Sequence, residues 1–404
     1  MKRVVLISNY FHFKSEKASN RYRELAEMLC KDPEIDLEVI TSQFYQRTFQ
    51  MRQNLDELSG SVDYKVKFIY EPGYNKSVSF QRLKTSRVFA KNTLDYLKTI
   101  KKPDLIYQVV PTLDVADLVS GYAKKERIPL VIDIQDLWPE AFKMALNIPI
   151  LSDIAFLPYA LKANRIYSRA DEICAVSQTY VDRALSVNKK NNSGHAVYIG
   201  INLSEFDIGK NLSKKDDTKT KLTLAYCGSL DVSYDIKTVI DALAIMTNPP
   251  KFLVMGDGRM RTLFEEYARD RKIHAEFTGF LPYQEMCKRL CESDITVNPI
   301  IGASVASIIN KHGDYAASGL PVINSQDSKE YRELIDMYQM GFNCANGNPS
   351  ELAKKLNLLC ENKELRQRMG QNARRCAEER FDRRRTYQEL VQVIKKLSLG
   401  ENNE

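Results

Sequence analysis

Residues 222–256 read LTLAYCGSLDVSYDIKTVIDALAIMTNPPKFLVMG, and this stretch decides the fold. LTLAYCG at 222–228 is a short apolar run closed by a glycine, the form of a strand buried on both faces. A polar loop follows, then helical periodicity from about Ile236 to Met246, then a second apolar run, KFLVMG, at 251–256. Strand, loop, helix, strand is the repeating unit of a parallel sheet, because parallel neighbours need a crossover long enough to hold a helix.

The same alternation extends in both directions. Downstream come helical patterns at 259–270, 282–292 and near 307–318, between the strands AEFTG (275–279), DITVNP (294–299) and PVIN (321–324). Upstream, Val4–Ser8, Leu37–Ile40, PDLIYQVV (103–110), PLVIDI (129–134) and EICAV (172–176) are further buried strands. Arg21–Cys30 has helical spacing with Tyr22, Leu25, Ala26 and Leu29 inward. The polar segment 202–220 carries little apolar periodicity and is expected to be a linker. The expected fold class is α/β, with two Rossmann-like doubly wound domains facing across a cleft. The expected division is 1–201, the linker 202–220, 221–380, and a basic amphipathic helix at 381–404 able to cross back to the first domain.

Composition agrees with two domains. At 404 residues the chain exceeds the size at which one core usually stops growing. Hydrophobic residues at 44% and charged residues at 27% exclude dominant disorder, and a formal charge of +7 does not single out a nucleic-acid binder. No run approaches the roughly 18 apolar residues of a membrane-spanning helix. The opening MKRVVLISNYFHF has a basic start, but its apolar run is short and polar EKASNR follows, so it reads as a first strand and a loop, not a signal peptide. Cys174 and Cys227 sit in strands, and Cys287 and Cys291 share a helix face without a second pair or a histidine to complete a metal set. No metal is expected, and reduced thiols suit the cytoplasm. The four histidines (His12, His195, His274 and His312) make neither a Ser/His/Asp set nor H-E-x-x-H, and the first strand lacks G-x-G-x-x-G.

Candidate chemistry gathers after strands. In YCGSLDVSYD (226–235), Gly228 and Ser229 open a loop whose backbone N–H groups could cradle an anion, with a tight capped turn as the plainer reading. In MGDGRMR (255–261), Gly256 and Gly258 permit close backbone approach and Arg259 adds positive charge. NKHGDYAASGLPVINS (310–325) is the strongest signal: Asn310 opens it, and Lys311 and Asp314 are three apart, on one face if helical. A cation and a carboxylate together suit a ligand bearing phosphate and vicinal hydroxyls, and a surface ion pair is the alternative. In DIQDLWPE (133–140), Asp133, Asp136 and Glu140 flank Trp138, a combination suited to stacking on a sugar face and holding its hydroxyls, with packing of Trp138 at a domain edge and a turn cap at Asp136 as the plainer reading. Segment 41–99 has ten Lys/Arg against five Asp/Glu among exposed-type aromatics, a composition compatible with a membrane-face acceptor or with an ordinary solvated surface.

Taken in order, these segments resemble the retaining glycosyltransferases of family 4, closest to their bacterial surface-polysaccharide branch, whose fold is GT-B. The resemblance implies that Asp314, as second acid of a paired acidic motif, holds a nucleotide ribose. Lys311 and the Ser229 loop would lie near the diphosphate, joined by Gly228, Gly256, Arg259 and Asn310. Phe280 and Leu281 would meet the nucleobase. Asp136 takes the catalytic-loop position near the transferred sugar, with Glu140 beside it. Lys17, Asn20 and Arg21 correspond to a loop near phosphate and acceptor, with Trp138 on the same side. Ala306 stands where the first acid is expected, and Ser229 where an arginine is.

The implied reaction moves a hexose-like sugar from a nucleoside diphosphate sugar to an acceptor hydroxyl without a metal or other cofactor. The implied acceptor is a glycan or polyprenyl-diphosphate-linked acceptor, at a cytoplasmic location that includes contact with the inner face of the membrane. Alternatives are a GT-B nucleotide-sugar epimerase and an inert scaffold subunit of a polysaccharide assembly complex.

Overall fold

The apolar runs become parallel strands in the computed structural model, which describes residues 1–16, 21–76, 79–140, 151–214, 221–301 and 308–400, the side chains of 151–155 excepted. The chain divides into two units, Met1–Val197 with Tyr387–Glu404, and Tyr198–Thr386.

The first unit holds β1 (Lys2–Ile7), β2 (Ile35–Ser42), a small antiparallel pair β3 (Phe44–Tyr45) and β4 (Gln50–Met51), β5 (Lys65–Ile69), β6 (Leu105–Val110), β7 (Leu130–Ile134), β8 (Glu172–Ala175) and β9 (His195–Ala196). Seven of these form one sheet in the order β5-β2-β1-β6-β7-β8-β9, parallel throughout. The second unit has a six-stranded parallel sheet, β12-β11-β10-β13-β14-β15, built from β10 (Thr223–Cys227), β11 (Lys251–Met255), β12 (Ala275–Gly279), β13 (Ile295–Asn298), β14 (Val322–Asn324) and β15 (Gly341–Asn343). Along β10, Leu224 and Tyr226 enter one core while Ala225 and Cys227 enter the other, so helices cover both faces and the run from Leu224 to Cys227 is buried throughout. The α/β class and both Rossmann-like sheets are as expected.

Strand order reverses between β1 and β6 in the first sheet and between β10 and β13 in the second. Such switch points leave a crevice at the carboxyl ends of the strands, where open α/β sheets bind ligands. The loops that follow β10 and β13 are stitched together there: Asp235 N–H donates to the Pro299 carbonyl at 3.0 Å, and Ile301 N–H to the Ser233 carbonyl at 3.0 Å.

Two expected boundaries move. Segment 202–220 contains a helix, Leu203–Leu212, capped by the Asn202 side chain accepting from Glu205 N–H. Leu203 and Phe206 are buried in the second unit's core, so this part is domain and not linker; 215–220 lie outside the described residues. Only three inward positions in ten residues, one of them Gly209, made the stripe too sparse to read. At the other end, helix Arg383–Lys395 sends Tyr387, Leu390 and Ile394 into the first unit's core beside Leu25 and Val197.

Candidate functional site

In the second unit the helix Asn310–Ser318 starts at the switch-point edge and is ended by Gly319 in the left-handed conformation. Tyr315 ties it to the end of β10, its hydroxyl 3.1 Å from Cys227 N and 3.3 Å from Cys227 O. One turn earlier, His312 stacks on Tyr331 at 3.4 Å, and Asn298 at the end of β13 donates to Asn324 and Gln326 at 2.8 and 3.0 Å. Burial keeps His312 neutral, well below the ordinary histidine range. This buried network fixes the helix that presents Lys311 and Asp314.

Lys311 is 8% exposed. Its ammonium lies 3.9 Å from the Tyr234 ring centre and 4.4 Å from that of Tyr226, and it donates to the Tyr226 hydroxyl at 3.1 Å. That hydroxyl in turn donates to the Ser229 carbonyl at 2.6 Å. Burial lowers Lys311 to about 7, opposed by Cys227 and Asp314. Gly228 explains itself here: a Cβ would stand 2.5 Å from the Lys311 Nζ. Asp314 accepts from the Tyr283 hydroxyl at 2.9 Å. Burial raises its carboxyl to about 6, while the Tyr283 bond and the charges of Arg383 and Lys311 pull it down.

The glycine loops have a structural task. Gly256 sits at φ +146°, and a Cβ there would be 1.8 Å from the Gly228 carbonyl oxygen. Its N–H donates to Gly279. Gly256→Ala is therefore expected to cost about 2–3 kcal/mol, read as a lower urea midpoint at unchanged slope; an unshifted midpoint would refute the close approach. The N–H groups of Gly228 and Leu230 are already bonded to the Met255 and Asp257 carbonyls, and Asp235 caps the next helix through Thr238 N–H. The expected backbone anion cradle around Ser229 is thus largely occupied by protein, and a carboxylate stands at the helix start. Arg259 reaches back across the edge to Asp231 at 2.7 Å. Phe280 is 84% exposed at the end of β12, Leu281 packs on the core, and Ser229 and Asn310 face solvent.

In the first unit the edge carries a different cluster. Arg82, in the helix Phe80–Leu97, lies 4.9 Å from the Trp138 ring centre and 5.6 Å from Tyr74, and donates to the Tyr10 hydroxyl at 3.1 Å. Asp136 keeps solvent access, yet the protein crowded around its carboxyl raises it to about 6, against the pull of Arg82. Buried Glu71 is raised to about 7, chiefly by loss of water, against a hydrogen bond from Ser42 and the charges of Arg52 and Arg82.

Residues 207–376 match the family model described as glycosyl transferases group 1. The second unit contains a glycosyl transferases group 1 domain. A curated relative, an uncharacterised glycosyltransferase of Methanocaldococcus jannaschii, is 22% identical over 242 residues, 57% of this chain and 60% of that protein. The match thus spans less than two thirds of the curated relative. Among solved structures, HepE of Anabaena in complex with UDP has a TM-score of 0.67 at 16% identity, covering 98% of this chain and 100% of its own. Sucrose-phosphate synthase of Thermosynechococcus elongatus has 0.71 at 15%, covering 99% and 100%. These likenesses span both units and show the GT-B fold.

The group 1 domain holds Gly228, Ser229, Gly256, Arg259, Phe280, Leu281, Asn310, Lys311 and Asp314 at or just beyond strand ends, on the loops and helix described above. Lys311 and Asp314 share one helical turn, yet each has its own tyrosine partner, so the surface ion pair is not what forms. In the first unit three expectations change. Arg21 is 2% exposed and makes a two-pronged bond to Asp133 at 2.8 and 3.3 Å, with Tyr107 also donating to Asp133 at 2.6 Å. Neither residue is available to a ligand. Glu140 is held by Arg183 at 2.6 Å, an ion pair within the first unit, leaving Asp136 as the carboxylate beside Trp138 and Arg82. Lys17, Asn20 and Ala306 lie outside the described residues.

Sequence reading missed Tyr10, Arg82, Tyr226, Tyr234 and Tyr283. Tyr226 and Tyr234 stood inside a quoted motif, and the neighbouring Gly228 was the signal that a bulky group must pass close by. Among the described residues, no group of three His, Cys, Asp or Glu could hold a metal, and no helix is long and apolar enough to cross a membrane.

Proposed function

We propose that the protein is a retaining glycosyltransferase of family 4 that takes a nucleoside diphosphate sugar in its group 1 domain and transfers the sugar to a hydroxyl of a lipid-linked glycan in surface-polysaccharide synthesis. One observation carries the reading: a buried ammonium and a carboxylate one turn apart at the switch point of a parallel sheet, Lys311 toward phosphate and Asp314 toward vicinal ribose hydroxyls. HepE, which shares the fold, is solved with UDP, with UDP and glucose, and with UDP-glucose, which supports a donor of this class.

Transfer requires stabilising the negative charge that grows on the departing diphosphate. Lys311 supplies a cation already stripped of water and held between two rings, so little reorganisation is needed when that charge develops. Arg259 adds a second, solvent-exposed cation at the same edge. With the leaving charge carried by side chains, the reaction proceeds without a bound metal, and the donor is the only small molecule besides the acceptor. Asp136 orients the transferred sugar, with Trp138 offering a ring face to the acceptor.

The test is nucleotide binding by calorimetry across UDP, GDP and ADP. Asp314→Ala is expected to weaken the preferred nucleoside diphosphate about 10–100-fold, the loss of charge-assisted hydrogen bonds, while leaving inorganic pyrophosphate unchanged. Equal losses for both ligands would remove the ribose assignment, and no binding of any nucleotide to the intact chain would remove the donor reading.

A further inference from the structure

Helix Lys363–Cys376 turns Met369, Ala373 and Cys376 into the second unit's core. Its polar stripe, Lys363, Arg366, Gln367, Gln371 and Arg375, follows spacings of three and four and so runs along one side. A polar helix face ordinarily meets open solvent. Here it bounds a cavity of about 830 Å³, within the range of small-molecule sites.

The cavity belongs to the second unit alone. Its other walls are Lys210 near the end of helix Leu203–Leu212, Leu222 and Asp294 just before β10 and β13, and Ser318 and Gly319 at the end of helix Asn310–Ser318. These stand at the amino ends of the strands, whereas Gly228 and Lys311 stand at the carboxyl ends. β10 is five residues long, so about 16 Å of strand separates the two edges. The cavity is therefore no part of the candidate donor site. A pair of glycines shapes it: Gly319 ends its helix at φ +69°, and a Cβ on Gly370 would stand 2.1 Å from the Gly319 carbonyl oxygen. Helix Lys363–Cys376 thus lies directly on this turn, with the cavity beside the crossing.

The charges around the cavity do not cancel. Arg374 is engaged within the protein, bonded to Asp207 at 2.6 and 2.7 Å and to Glu378 at 2.8 Å. Arg366 donates to the Cys360 carbonyl at 3.0 Å, which carries no counter-charge. Among the described residues, Lys210, Lys363 and Arg375 have no carboxylate within ion-pair distance. Four cations thus face one remaining acid, Asp294, which accepts from Thr223 N–H at 2.9 Å. Lys210 and Arg366 are half-buried, while Lys363, Gln367, Gln371 and Arg375 form the exposed rim.

Cations drawn from two helices suit a phosphate group. The carboxamides of Gln367 and Gln371 both donate and accept, as neighbouring hydroxyls require, and a bare anion would leave them unused. We propose that this cavity is a second ligand site that takes a phosphorylated sugar, with phosphate among the four cations and hydroxyls toward Gln367, Gln371 and Asp294. The inference goes beyond the donor reading and stands without it.

The experiment is calorimetry of the full chain with glucose 6-phosphate, mannose 6-phosphate and glucose 1-phosphate, against glucose and inorganic phosphate. Binding of UDP, GDP and ADP is measured on the same samples. At least one hexose phosphate is expected to bind about tenfold or more tightly than glucose or inorganic phosphate. The double variant Lys363→Glu, Arg375→Glu should weaken it by about tenfold or more, with helicity and nucleotide binding kept. The double variant Gln367→Leu, Gln371→Leu should weaken the hexose phosphate while leaving inorganic phosphate unchanged. Lys363→Arg should keep the binding, and so should Asp314→Ala at the other edge of the sheet. Loss in Asp314→Ala with binding kept in both cavity variants would put the hexose phosphate in the donor site and overturn the proposal. Inorganic phosphate binding as tightly as any hexose phosphate, or no binding of any of the three, also overturns it. Hexose phosphate binding that the cavity variants abolish, in a chain that takes no nucleotide, supports the cavity site and overturns the donor reading instead.

Discussion

Replacing Lys311 by Met lowers the rate of sugar transfer by about 10²–10³-fold, the scale seen when one preorganised group is removed from a developing negative charge. Met fills nearly the same space between Tyr226 and Tyr234, so the fold and the nearby Gly228 are undisturbed and the loss is one of charge. The variant also has a signature that a mere packing defect lacks. In the free protein, burial holds Lys311 at about 7, so it is cationic below that pH and neutral above it. A bound diphosphate favours the cation. Nucleotide affinity should therefore fall as pH rises above about 7, and binding there should take up a proton. Below that range the lysine is already charged, and both effects vanish. Calorimetry in two buffers of different ionisation enthalpy reads the proton directly. In Lys311→Met the proton uptake should be gone along with the rate; a variant that keeps either would remove Lys311 from the leaving-group role.

The second large effect is on stability. Asp133→Ala strips the carboxylate from Arg21, whose side chain is fully buried; its bond to the Val197 carbonyl and its contact with the face of Tyr387 carry no counter-charge. An uncompensated buried charge costs about 3–5 kcal/mol, a large fraction of the 5–15 kcal/mol typical of a whole domain. A urea melt should show the first unit unfolding early while the group 1 domain still binds nucleotide. The double variant Arg21→Met, Asp133→Leu, which removes both charges at once, should recover most of the loss. If Asp133→Ala unfolds with the wild type, or if the double variant is no better than the single, the pair is not what secures this core.

That pair also shows why the site was only partly legible. Buried parallel strands announce themselves, because successive residues such as Leu224–Cys227 must be largely apolar when helices cover both faces. Lys311 and Asp314 were readable as neighbours because three residues of helix bring them together. Arg21 looked like a ligand residue because the family resemblance placed it in a loop near phosphate and acceptor. The contrary signal was Asp133, a carboxylate inside the strand PLVIDI, which had to find a buried cation somewhere. Which cation could not be read, since Arg21 and Asp133 are 112 positions apart. The cluster of Tyr10, Tyr74, Arg82 and Trp138 is hidden for the same reason: four separate segments supply it, and no local spacing records their meeting. Helix Leu203–Leu212 was lost differently, its Asn202 cap and Glu205 three residues on being a start signal inside a segment dismissed for its polarity.

The first unit is completed by Tyr387–Glu404, about 190 residues after Val197 has left off. Tyr387 covers Arg21, and Leu390 and Ile394 close the apolar side of that core. On a ribosome adding about 5–20 residues per second, the first sheet waits on the order of ten to forty seconds for its last helix. Meanwhile the whole intervening unit is made and can fold first. The N-terminal half is thus the later of the two to mature, and its buried guanidinium stays open to water until the segment from Tyr387 has been made.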